Sequence, residues 1–124
     1  MKPRILLVED DSDLQYLMHK KLEMEGFEVI QALTGQDALD CLDKNPDLVL
    51  LDILLPDIDG LTVLSEIVKD KKTKNLPVII LSNLADHASM EQAQALGQYD
   101  YLVKAKTDLN AVVVKIREKL KTKS

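Results

Sequence analysis

The chain has 124 residues, 46% hydrophobic and 30% charged, the balance of one globular domain and not of a disordered segment. Its 21 acidic and 16 basic residues give a net charge of −5, which argues against gripping a phosphate backbone, so direct nucleic-acid binding is not expected. The longest uninterrupted apolar runs are four residues, against the roughly 20 that cross a bilayer.

The basic start, residues 1–4, is followed by an apolar stretch that stops at Glu9-Asp10-Asp11, so a signal peptide is not expected either and the chain should reside in the cytoplasm. Residues 5–8 (ILLV) are continuously apolar and branched, the pattern of a strand covered on both faces of a parallel sheet. Leu14, Leu17, Met18 and Leu22 then fall at helical spacing before a stop at Gly26. Residues 28–32 are mixed in polarity, as an edge strand would be. Thr34 can cap a helix carrying Ala38, Leu39 and Leu42, which Asn45-Pro46 ends. Cys41, the only cysteine, cannot form an internal disulfide and reads as a small buried apolar group.

Residues 48–51 (LVLL) repeat the buried-strand pattern, and Leu61, Leu64, Ile67 and Val68 repeat the helical one. Residues 78–81 (VIIL) form a third buried strand. Asp86 can open a helix carrying Met90, Ala93 and Leu96 before Gly97. Residues 99–103 read as a second edge strand. A last helix from Asp108 carries Leu109, Val112, Val113, Ile116 and Leu120, with Val114 off its apolar stripe. The basic segments at 69–74 and 115–123 have no interleaved aromatics and read as solvated faces. The order is βα five times over one domain, residues 1–124, and right-handed crossovers then make an α/β fold: a doubly wound parallel sheet between two layers of helices.

Ligands of such a sheet bind beyond the carboxyl ends of its strands. The strands at those ends deliver Glu9-Asp10-Asp11, Asp52, Ser82 and Lys104. Two unit charges about 4 Å apart repel by roughly 4 kcal/mol at an effective dielectric of 20. Either one carboxyl keeps a proton, or Lys104 and a cation share the charge. An all-oxygen donor set without imidazole or thiolate favours a hard ion, Mg²⁺ or Mn²⁺; His19 and His87 lie off this edge. A metal, a strand-end acid, a hydroxyl and an ammonium are what phosphoryl transfer to a carboxylate requires, with Asp52 as nucleophile.

The segments Ile5-Leu6-Leu7-Val8-Glu9-Asp10-Asp11, Asp52-Ile53-Leu54-Leu55-Pro56-Asp57-Ile58-Asp59-Gly60, Ser82 and Tyr101-Leu102-Val103-Lys104 resemble the receiver domain of two-component response regulators from Arg4 to about Leu120. The resemblance implies a flavodoxin-like (βα)5 fold of strand order 2-1-3-4-5, with Asp52 as phosphoacceptor and Ser82 and Lys104 as phosphoryl contacts. It implies Mg²⁺ held by Asp10, Asp52 and the Leu54 carbonyl, with Glu9 acting through water, and Tyr101 as a switch aromatic. The implied partners are a histidine kinase or phosphotransfer protein as donor and a downstream effector, or a second copy of the chain, on the face of the fourth helix, fifth strand and fifth helix. Such a domain assists its own phosphorylation and is not a conventional enzyme.

Two positions depart from the family pattern: Ala105 where proline is usual, and Asn83 where a small residue is usual. The apolar Leu54 and Leu84 flank the site and cannot orient an attacking water, so slow loss of the phosphoryl group is expected. The alternative is a degenerate receiver acting as a phosphorylation-independent interaction module. A flavin binder of the same fold would need hydroxyls and amides where this chain has acids after its first strand. A phosphatase of the haloacid dehalogenase kind would need a second Asp at the position of Leu54.

Overall fold

The computed structural model describes residues 2–83, 87–97 and 99–123. Strands β1 (Arg4–Val8), β2 (Glu28–Ala32), β3 (Leu48–Leu51), β4 (Val78–Ser82) and β5 (Asp100–Val103) alternate with helices α1 (Ser12–Met24), α2 (Gly35–Cys41), α3 (Gly60–Lys69), α4 (His87–Leu96) and α5 (Leu109–Lys123). The strands form one parallel sheet in the order β2-β1-β3-β4-β5, the order implied by the resemblance.

Successive strand residues point to opposite faces, and here both faces are covered. Leu6, Val8, Val49, Leu51 and Ile80 join a cluster with Ala38, Val63, Leu64, Ile67 and Ala93. Ile5, Leu7, Leu48, Leu50 and Ile79 join another with Met18, Leu22, Phe27, Val112, Val113 and Ile116. The apolar runs of β1, β3 and β4 are continuous because each feeds two cores. Cys41 is buried as expected, and Val114, off its stripe, is 55% exposed.

The helix starts are fixed by short polar side chains. Asp11 accepts from the amides of Asp13 and Leu14, Thr34 from Asp37, Asp59 from Leu61 and Asp108 from Ala111, each satisfying amides that the first helical turn leaves unpaired. The expected opening of α4 by Asp86 lies outside the described residues. At the other end of α2, the chain continues through a 3-10 turn (Leu42–Lys44) before Asn45 takes a left-handed conformation at φ 56°.

One inward position of α1 differs from the expectation. Leu17 is 56% exposed, and Gln15 occupies the core-facing position at 2% exposure. Its Nε2 donates to the carbonyls of Leu7, Glu9 and Ala32 at 3.3, 3.1 and 3.2 Å. These carbonyls lie where β1 and β2 end, so a buried amide does there what an apolar side chain could not.

Candidate functional site

The register carries the site. Val8 pairs with Leu51, Leu51 with Ile80, and Ser82 with Val103, so Glu9, Asp52, Ser82 and Lys104 all emerge at one edge of the sheet. The backbone continues the ladder past the strands, with the Asp52 amide donating to the Val8 carbonyl at 3.1 Å and the Glu9 amide to Ala32 at 3.0 Å.

Glu9, Asp52 and Ser82 are buried, while Asp10 is exposed. Glu9, Asp10 and Asp52 each bring a carboxylate oxygen within 4.8 Å of the others. Lys104 Nζ donates to Asp52 Oδ2 at 2.6 Å and forms an ion pair with Glu9 Oε1. The second oxygens are also held: Glu9 Oε2 accepts from the Asp11 amide at 3.0 Å and Asp52 Oδ1 from the Leu54 amide at 3.1 Å. Two of the three carboxyl groups thus hold one ammonium, and the three together are an oxygen-rich donor set suited to a hard divalent cation.

Burial raises the Glu9 carboxyl above its ordinary 4.5, outweighing the lowering by the Lys104 hydrogen bond and the Asp11 amide. Burial alone would lower the Lys104 ammonium, but its hydrogen bonds to Asp52 and Glu9 raise it above the ordinary 10.5. The sign for Glu9 follows from linkage. The unfolded chain loses this proton near 4.5 and the folded chain only at higher pH, so the group's contribution to stability declines as pH climbs through that interval. Metal-free protein should therefore lose melting temperature relative to Glu9→Gln as the pH is raised above about 4.5; parallel curves for the two proteins would contradict the raised carboxyl.

The loop from β3 to α3 is secured twice. Its Ile53 carbonyl accepts from the Gly60 amide at 2.9 Å. Its Asp57 carboxylate accepts from the amides of Gly35 at 2.8 Å and Gln36 at 3.0 Å. The Asp57 carboxyl is lowered, chiefly by the Gln36 amide. Asp57 thereby ties the loop that carries Leu54 to the start of α2. Asp57→Ala should lower the melting temperature by a few degrees and weaken divalent-cation binding, both measurable by thermal melts with and without Mg²⁺. An unchanged response to Mg²⁺ would separate the clamp from the site.

Of the residues singled out from sequence, Glu9 and Asp52 are both held by Lys104, Asp10 brings a carboxylate oxygen within 4.8 Å of theirs, and Ser82 stands at the same edge, fully buried. The Leu54 side chain is 54% exposed, and its amide holds Asp52. Tyr101 lies two pairings before the last ladder pair, opposite Ile80, and packs partly buried against the cluster on the α2–α3–α4 side. Leu84 lies outside the described residues. The bond from Lys104 to Ala105 is trans, as are all peptide bonds among the described residues. Sequence reasoning missed Gln15 and Asp57: the one is a polar residue on an apolar stripe, the other a loop acid whose partners lie 21 and 22 residues away.

The model of the response regulator receiver domain matches residues 5–117, and the chain belongs to that family. It is 40% identical over 114 residues to the transcriptional regulatory protein CpxR of Escherichia coli K12, covering 92% of this chain and 47% of that one. It is 36% identical over 121 residues to the DNA-binding dual master transcriptional regulator RpaA of a Synechocystis strain, covering 96% and 49%. The chain thus spans about half the length of these relatives. Among solved structures, a CheY-like receiver domain protein from Methanospirillum hungatei superposes with a TM-score of 0.91 at 29% identity, over 99% of this chain and 97% of that one. The Mn²⁺-bound form of response regulator Rcp1 superposes with a TM-score of 0.79 at 28% identity, over 90% and 88%. No helix among the described residues is long and apolar enough to cross a membrane.

Proposed function

We propose that the domain is a phosphorylation-driven switch in which Asp52 accepts the phosphoryl group of a phosphohistidine on a kinase or phosphotransfer protein. An Asp52 carboxylate oxygen attacks phosphorus, the phosphorus–nitrogen bond breaks, and the imidazole leaves with the bonding pair and is then protonated. The observation that carries this reading is Lys104 Nζ held 2.6 Å from Asp52 Oδ2 inside a cluster of three carboxyl groups. The ammonium is thus already where negative charge on phosphoryl oxygens will gather, and placing it costs no reorganisation during transfer.

Ser82, buried at the end of β4, is the second phosphoryl contact. Asp10, Asp52 and the Leu54 carbonyl are the direct ligands for Mg²⁺, with Glu9 acting through water; Mn²⁺ suits the same donors, and the Rcp1 structure is Mn²⁺-bound. When bound, the ion offsets charge on the phosphoryl oxygens and on the carboxylates. The phosphorylation-independent alternative would gain weight from a missing member of this set, and Glu9, Asp10, Asp52, Ser82 and Lys104 are all present.

The output is a population shift in the face formed by α4, β5 and α5, with Tyr101 as switch aromatic and the exposed Val114 within reach of a partner. An effector protein or a second copy of the chain would read that face. The DNA binding in RpaA's name is said of a chain about twice as long. The proposed location is the cytoplasm, where such donors work.

Incubation with acetyl phosphate and Mg²⁺, followed by intact-mass measurement, tests the assignment. The parent should gain one phosphoryl mass and Asp52→Asn none. A gain in both, or in neither, removes Asp52 as acceptor.

A further inference from the structure

Asn83 and Ala105 are the two positions at which the chain departs from the receiver pattern, and the structure joins them. Asn83 Oδ1 accepts a hydrogen bond from the Ala105 amide at 2.9 Å. Proline at 105 would have no N–H to give, and a small residue at 83 would have no acceptor.

The bond matters because of what it flanks. Lys104–Lys106 form a 3-10 turn, and the residue before it, Val103, supplies no side-chain cap. The first amides of such a turn lack partners within it, and Ala105 carries one of them. Asn83 reaches across from the end of β4 to cap it. Ser82 pairs with Val103 in the ladder, and the side-chain bond extends that connection past the last ladder pair. The backbones next to both proposed phosphoryl contacts, Ser82 and Lys104, are thus tied together.

Both residues are exposed and line a shallow cavity of about 200 Å³ with Leu14, Met18, Lys104 and Thr107. The buried Leu81 and Val112 that also line it are hydrocarbon and offer the Ala105 amide no acceptor. Lys104, by contrast, needs a fixed backbone, since its ammonium must meet Asp52 and Glu9 at once.

We infer that Asn83 is a positioning residue for phosphoryl transfer: by capping the Ala105 amide it fixes the turn from which Lys104 reaches Asp52. This rests on the phosphoacceptor reading of Asp52. Asn83 itself touches no reacting atom, and its effect runs through Lys104.

Two measurements test it. In the unphosphorylated protein, amide exchange followed by NMR should show the Ala105 N–H protected in the parent and unprotected in Asn83→Ala. With acetyl phosphate and saturating Mg²⁺, Asn83→Ala should lower the maximal phosphorylation rate about fivefold, the effect of one modest hydrogen bond. The donor concentration giving half that rate, and the Mg²⁺ affinity, should stay unchanged. Ala105→Pro removes the donor instead, so its effect on rate should be much smaller in the Asn83→Ala background than in the parent. Circular dichroism of each variant shows that the fold is kept. An Asn83→Ala variant at or above the parent's rate, additive effects of the two substitutions, or an unprotected Ala105 amide in the parent would each overturn the inference. A parent that takes no phosphoryl group overturns both readings, whereas a parent that does, with Asn83→Ala at its rate, overturns this one alone.

Discussion

Lys104→Met should destabilise the metal-free domain by about 3 kcal/mol and slow phosphorylation by at least about a hundredfold. Among the described residues Lys104 is the one cation in contact with two buried acids: its side chain is 15% exposed, that of Glu9 3% and that of Asp52 5%. Methionine keeps much of the volume but leaves two carboxyl groups facing each other with no ammonium between them. Breaking a buried pair by removing one partner costs roughly 3–5 kcal/mol. The lower end applies because Glu9, already raised by burial, can take up a proton in place of the lost cation. Divalent cation should recover much of the loss, so Mg²⁺ should raise the midpoint of urea unfolding more in Lys104→Met than in the parent. The kinetic loss is separate and should persist with Mg²⁺ present, because a fixed donor aimed at the developing charge is gone. The ammonium's contribution to stability is complete below the ordinary 10.5 and lost as pH rises through its higher folded value, so the gap between the two proteins should hold across neutral pH. Urea melts and acetyl phosphate kinetics on both proteins decide it, and a variant as stable and as reactive as the parent would refute the bridging role.

How far such effects could be foreseen from sequence depends on how local their causes are. The buried strands were legible because residues 5–8, 48–51 and 78–81 are apolar at every position, and only a sheet covered on both faces needs that. Their carboxyl ends were legible for the same reason, since the first charged or hydroxyl residue after each run marks where the core stops. Parallel register then brings Glu9, Asp52, Ser82 and Lys104 to one edge without further information. The inward face of α1 was less legible. Leu17 satisfies the helical period as well as Gln15 does by position, and only the three carbonyls that converge on Gln15 Nε2, those of Leu7, Glu9 and Ala32, explain why an amide occupies the core. The Asp57 clamp and the Asn83 cap were not legible at all. Each joins groups 21 or 22 residues apart through backbone amides, which every residue but proline carries and which no composition or period singles out.

Gly60→Ala should cost about 3 kcal/mol or more and weaken Mg²⁺ binding and phosphorylation together. A Cβ at residue 60 would lie 2.4 Å from the Asp52 carbonyl oxygen and 2.5 Å from the Ile53 Cα. Both are backbone atoms, so no rotamer change relieves the contact. The two sides of the clash are each anchored. On one, Gly60 opens α3, which is capped by Asp59 and pinned in the core by Val63, Leu64 and Ile67. On the other, the Asp52 amide is bonded to Val8 at the centre of the sheet. Relief therefore requires moving either the helix from its core or the end of β3 from the acid cluster. The second route displaces Asp52 from Lys104, which is why stability and chemistry should fall together. Gly26→Ala provides the contrast. That site has nothing within 4 Å of a new Cβ but a φ of +94°, so it should cost only the strain of a left-handed backbone, about 1–2 kcal/mol, and leave the phosphorylation rate alone. Should Gly60→Ala lose stability while keeping the parent's Mg²⁺ affinity and rate, as Gly26→Ala should, the close approach of α3 would hold the fold without shaping the site.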